Sequence, residues 1–169
     1  IKPNVFGLSE GINDVYHNLA GIPRDRLFLN PNGVNLSKFK VTHEPNNGDR
    51  SIYLAKVDSR KRQHLFQSID SLWYAGNIAD NRFDKAKNYL GEWDKDKLHR
   101  MLSSYGNLVL LSDGEAHPLV CPEAFAAGLG VVISEWATAN LDTTKKFITV
   151  IPESKIDDLI GKELEKASK

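Results

Sequence analysis

The chain has a single cysteine in 169 residues, Cys121. A lone cysteine excludes an internal disulfide and leaves no zinc cluster of the usual spacing; it fits a reducing compartment, with the cytoplasm as the expected location. No apolar run approaches the roughly 20 residues that span a bilayer. Neither sign of charge is in excess. With 22 basic residues against 22 acidic ones, no overall field draws in nucleic acid or anionic lipid, and any anion must be held by a local group of cations. Internal repeats and low-complexity segments are also missing. The sequence opens at Ile1 without a methionine or a signal-like apolar stretch, so it is expected to be part of a longer protein.

What is present is 41% hydrophobic and 26% charged, the balance of a globular chain, and its length suits one domain around one core. Short runs rich in Ile, Val, Leu and aromatics predict strands at Leu27–Asn30, Ser51–Lys56, Leu72–Gly76, Leu108–Ser112, Val131–Glu135 and Phe147–Ile151. Helical spacing falls between them. In DKDKLHRMLSSYG, Leu98, Met101, Leu102 and Tyr105 share one face, with Gly106 placed as a C-cap. RKRQHLFQSI supplies Leu65, Phe66 and Ile69, and the C-terminal segment supplies Ile156, Leu159, Ile160 and Leu164. Pro118 suits the first turn of a helix running to about Ala127, which Gly128 ends. PNGVN reads as a tight turn, and residues 43–49 as a polar loop. Strand–helix alternation of this kind implies an α/β, Rossmann-like parallel sheet flanked by helices on both faces.

Ligands of such sheets gather where strands end and loops enter helices. Two of these loops carry reactive side chains. In KVDSRK, Lys56 and Lys61 lie five residues apart at one strand–helix junction, placed to reach one anion. Alternatively they belong to an ordinary basic helix start. In GEAHPLVCPEAFAAGLG, Glu115 precedes a helix and Glu123 lies inside it. A helix start offers unpaired amides, here around Leu119 and Val120, that suit phosphate, while carboxylates accept from the hydroxyls of sugars. The order sugar, phosphate, sugar follows. The plainer alternative makes Glu115 a favourable helix-start charge, Glu123 a solvated helix residue, and the small residues simple packing. His117 has no neighbour in sequence to orient it, Cys121 reads as a small core residue, and Asp113 with Glu115 is too few ligands for a metal. Trp73, Trp93 and Trp136 read as core or rim.

PNGVN…F at 31–39, LAKVDSRK at 54–61, YLGEW at 89–93 and SDGEAHPLVCPEAFAAGLGVVISE at 112–135 together resemble the C-terminal half of glycosyltransferase family 4, retaining enzymes of the GT-B architecture. The resemblance spans about residues 24–165, with residues 1–23 as the end of, or connection from, a missing N-terminal domain. It implies a donor-binding domain for a nucleotide diphosphate sugar, UDP-, GDP- or ADP-linked, and transfer, hexosyl in kind, to a carbohydrate or lipid-linked acceptor at no cost in metal. By position it implies that Glu115 contacts the transferred sugar and Glu123 the ribose. Leu119 and Val120 amides would hold the diphosphate together with Lys56 and Lys61. Ala116 and His117 would line the donor loop, and Leu90 and Gly91 the base. It further implies that the domain without its partner does not turn over, and that the full-length protein works in the cytoplasm or at the cytoplasmic face of a membrane. Ala55, Lys56, Arg62, His117 and Gly130 stand where the family has glycine, arginine, glycine, phenylalanine and proline, which leaves open a non-catalytic nucleotide-sugar-binding module. A flavodoxin-like signalling domain is disfavoured because Asn30-Pro31-Asn32, with no aspartate, follows the first expected strand.

Overall fold

A computed structural model describes residues 3–158. Five strands, β3 (Asn47–Leu54), β4 (Leu72–Ala75), β5 (Tyr105–Leu110), β6 (Gly130–Ser134) and β7 (Ile148–Ile151), form one parallel sheet in the order β4-β3-β5-β6-β7. The chain steps from β3 out to β4, then returns past β3 to β5 and continues to β7. Right-handed crossovers in opposite directions fall on opposite faces, so β3 and β5 must be covered on both sides. Their side chains agree: Ile52, Tyr53 and Leu54 are consecutive and buried, as are Leu108, Val109 and Leu110.

The helices that flank the sheet are short. Helix α2 (Lys95–Met101) begins with Asp94, whose carboxylate accepts from the Lys97 amide, and buries Leu98. Helix α3 (Val120–Ala126) buries Cys121 and Ala124 and ends before Gly128, whose φ of 85° suits glycine. It starts two residues later than the sequence implies, so Pro118 precedes the helix. The helix expected across 60–69 is only a 3-10 turn, Gln63–Phe66, because Arg62 enters the left-handed region at φ 59° and breaks the run. Residues 153–158 are helical and bury Ile156, while Leu159, Ile160 and Leu164 lie outside the described residues.

Gly106 is not a C-cap. It lies in β5, where an added Cβ would stand 2.2 Å from the Gly48 carbonyl oxygen, so glycine there allows β3 and β5 to approach closely. That approach draws Asn47–Arg50 into β3, although residues 43–49 read as a loop.

The expected first strand does not join this sheet. β2 (Leu27–Leu29) pairs in parallel with β1 (Val5–Gly7), and α1 (Glu10–Ala20) links them into a separate β-α-β unit. Ser9 caps α1 by accepting from the Ile12 amide, and Gly21, at φ 64°, closes it. The unit meets the main body where the Asn140 side chain donates to the Leu8 carbonyl at 2.5 Å.

Candidate functional site

The chain reverses direction between β3 and β5, so the crevice of this sheet opens at their carboxyl ends. The two loops singled out in sequence meet there. After β3, Asp58 accepts the Lys61 amide with both its carboxylate and its carbonyl oxygen, at 3.0 Å each, and folds KVDSRK into a tight turn. The Tyr53 hydroxyl, fully buried, donates to the Lys61 carbonyl at 2.5 Å and accepts from the Leu111 amide at 2.8 Å. One phenol thus ties the turn after β3 to the end of β5. Burial above all, with no other stabiliser large enough to offset it, drives the Tyr53 pKa far above its ordinary value, so it stays a neutral donor. The Asp113 amide adds a bond to the Arg60 carbonyl at 2.8 Å, and the Arg60 guanidinium one to the Gly114 carbonyl at 3.3 Å.

The consequence is a largely buried ion pair between the Lys61 ammonium and the Glu115 carboxylate, whose side chains keep 12% and 11% exposure. Arg62, itself buried, backs it up: its guanidinium spans Asp113 at 3.0 Å and Glu153 at 2.8 Å. On that side lies a cavity of about 550 Å³, bordered by Ser59, Asp113 and the exposed Trp136. The Glu115 amide donates to the Trp136 carbonyl, so this tryptophan is neither core nor remote from the pair.

His117 is oriented after all, by a residue 85 positions away. The Asn32 amide donates to His117 Nδ1 at 2.8 Å, and the Asn32 side chain to the His117 carbonyl at 3.0 Å. PNGVN is therefore no isolated tight turn; it is a strap across the loop that carries Glu115. An Nδ1 that accepts from an amide leaves the proton on Nε2, and burial lowers the imidazole pKa.

Glu123 is not a solvated helix residue. It is buried and pairs with Lys95 of α2 at 2.6 Å. The amides of Leu119 and Val120 take no acceptor among the described residues, while Pro118 and Leu119 carbonyls accept from Cys121 and Glu123. Leu90 and Gly91 run beside β4, with the Leu90 amide donating to Tyr74 and the Gly91 carbonyl accepting from Gly76. The Leu90 carbonyl accepts from the Lys97 ammonium at 3.4 Å. Lys56 stands apart from Lys61: it is exposed and borders a cavity of about 250 Å³ with Gly76, Asn77 and Trp93. Ala116, half-buried, lies between the pair and His117. Cys121 is buried, and that burial, reinforced by the Glu115 charge, pushes its thiol up to about 12. Among the described residues no three His, Cys, Asp or Glu side chains gather as a metal would require, and no helix is long and apolar enough to cross a membrane.

Solved structures share this architecture. The fold is that of the GT-B glycosyltransferases. Anabaena Alr3699/HepE in complex with UDP superposes with a TM-score of 0.74 at 12% identity, over 99% of this chain and 55% of that one. WaaG, a glycosyltransferase involved in lipopolysaccharide biosynthesis, gives 0.69 at 15% identity, over 96% and 54%. Sucrose-phosphate synthase from Thermosynechococcus elongatus gives 0.67 at 18% identity, over 95% and 49%. The chain thus spans about half the length of these structures. Neither a protein-family model nor a curated protein sequence matches it.

Three site residues escaped the sequence reading. Asn32 lay in a motif of the resemblance, PNGV, that was assigned to turn chemistry. Arg62 lay where the family has glycine, and a glycine position is itself a signal of positive φ. Lys95 carried no local signal, since it meets Glu123 from another element, 28 residues away in sequence.

Proposed function

We propose that this chain is the donor-binding half of a retaining glycosyltransferase that transfers a sugar from a nucleotide diphosphate sugar. The observation that carries the reading is the Lys61–Glu115 pair held at the carboxyl ends of β3 and β5. A cation and a hydroxyl acceptor sit side by side where this architecture takes ligands. On binding, the diphosphate replaces Glu115 as the partner of Lys61, and the sugar hydroxyls replace Lys61 as the partners of Glu115. The Leu119 and Val120 amides face the diphosphate, and Glu123, buried against Lys95, takes the ribose hydroxyls. Lys61 and these amides stabilise the charge that develops on the leaving diphosphate as it departs from the sugar's front face. In this reading Lys56 swings from its own cavity toward the same group when the donor binds, and Leu90 and Gly91 lie along the base; no metal is needed. The HepE and sucrose-phosphate synthase likenesses support the donor class.

A partner domain completes the enzyme in this reading. The β1-α1-β2 unit exposes Phe6 and Leu19 at 63% and 83%, apolar surface of the kind that a second domain covers. The acceptor, carbohydrate or lipid-linked, would bind between the two.

The test is a titration of the chain with UDP, GDP, ADP and their sugars, followed by amide chemical shifts. Saturable shifts at 58–61 and 113–123, weakened by Glu123→Ala, are expected. Silence there up to millimolar ligand sinks the donor-site reading. Binding without transfer by the full-length protein would leave the binding module as the better description.

A further inference from the structure

A third cavity, of about 450 Å³, lies at the other end of the sheet. Its wall includes Asn46, next to the start of β3, and Ser104, next to the start of β5. At about 3.3 Å per strand residue it is roughly 20 Å from the Lys61–Glu115 pair. The cations are what set it apart. Lys38 and Lys40 enter from the segment before β3, and Arg100 and His99 from the last turn of α2. Among the described residues no carboxylate lines the wall. Lys38, Lys40 and Arg100 form no ion pair among the described residues, although the chain as a whole is charge-balanced.

Arg100 and His99 have an ordinary role at a helix C-terminus, where cations offset the helix dipole. That role does not extend to Lys38 and Lys40, which belong to another segment. Phe39 between them is buried edge-on against the His99 ring, with centroids 5.0 Å apart, and this contact anchors the segment beside the last turn of α2. The hydroxyls of Thr42, Ser103 and Ser104 add neutral donors around the same space. Two point charges, a fork-shaped guanidinium and several hydroxyl donors match the oxygens of phosphate. The volume is within the range of small-ligand sites.

We infer that this cavity binds a phosphate-bearing ligand, separate from the donor crevice. The phosphate belongs either to a free phosphorylated compound or to the headgroup of an anionic lipid. Val41 and Met101, neighbours in sequence of Lys40 and Arg100 and exposed at 59% and 37%, would touch the acyl layer in the second case.

The test uses the chain as it stands, with inorganic pyrophosphate in one arm and vesicles of phosphatidylglycerol, against phosphatidylcholine, in the other. Expected are amide shifts at 38–46 and 99–104 with pyrophosphate, and an affinity at least tenfold lower in Lys38→Gln/Lys40→Gln/Arg100→Gln with an unchanged circular dichroism spectrum. If only phosphatidylglycerol vesicles bind, and the triple variant abolishes it, the ligand is a headgroup. Shifts confined to 58–61 and 113–123 would assign pyrophosphate to the donor crevice and overturn this site. Unchanged affinity of the triple variant in both arms would overturn it too. A silent donor crevice with shifts at 38–46 and 99–104 would sustain this inference while defeating the donor reading.

Discussion

Lys61 and Glu115 are each other's partner in a nearly dry site, so the loss of one leaves a buried charge uncompensated. Lys61→Ala should cost about 3–5 kcal/mol in urea unfolding, whereas Lys61→Met combined with Glu115→Leu should recover most of it. The imidazole of His117 makes a second prediction. Its folded pKa lies below the ordinary 6.5, so the unfolded chain binds more protons between the two values. Its contribution to stability is therefore complete above about pH 6.5 and declines as pH falls through the folded pKa. His117→Phe should remove that acid sensitivity and, by stranding the Asn32 amide, cost about 1–3 kcal/mol at pH 7.5. A pair of stability–pH curves decides it; identical slopes in wild type and variant would rule the assignment out. Cys121, with its thiol near 12, should resist thiol reagents at pH 8 until urea is added.

Among the elements, the turn that carries Lys61 combines backbone strain with buried charge. Arg62 holds φ 59° and two carboxylates at once. Arg62→Ala loses the ion pairs and keeps the strain; Arg62→Gly loses the ion pairs and relieves it. The glycine variant should therefore be the more stable of the two by about 1 kcal/mol, and equal melting curves would show that the turn relaxes by another route. Gly106→Ala tests the β3–β5 contact, since its Cβ would collide with backbone. It should lower the melting temperature sharply, by overpacking worth about 1–3 kcal/mol. These cases also show where sequence reasoning stopped. The strands were legible because β3 and β5 are covered on both faces and read as unbroken apolar runs. The role of Gly106 was not, because a strand glycine and a helix-ending glycine look alike until the neighbouring strand is known. The break at Arg62 had its signal only in the glycine of the resembling family, since arginine itself gives no hint of a left-handed backbone.

The assembly as a single body turns on β2. As an expected first strand followed by Asn30-Pro31-Asn32, it argued against a phosphate-accepting aspartate. The first strand of the five-stranded sheet is instead β3, and the aspartate after it, Asp58, is occupied in capping the Lys61 amide. β2 and α1 form a side unit whose apolar surface faces outward, so Leu19→Glu should leave the unfolding free energy within about 0.5 kcal/mol of wild type while raising solubility.

Period and composition were sufficient for the strands of the main sheet, for the two loops that carry Lys61 and Glu115, for the helix that carries Glu123, and for the core placement of Cys121, because burial patterns and turn residues act over a few neighbours. Pairing was beyond them. Lys61 meets Glu115, Asn32 meets His117 and Lys95 meets Glu123 across separations of 54, 85 and 28 residues. Each contact depends on strand order and on how loops from different strands converge at one sheet edge, and a side chain's local sequence carries no record of the distant chain that folding brings against it.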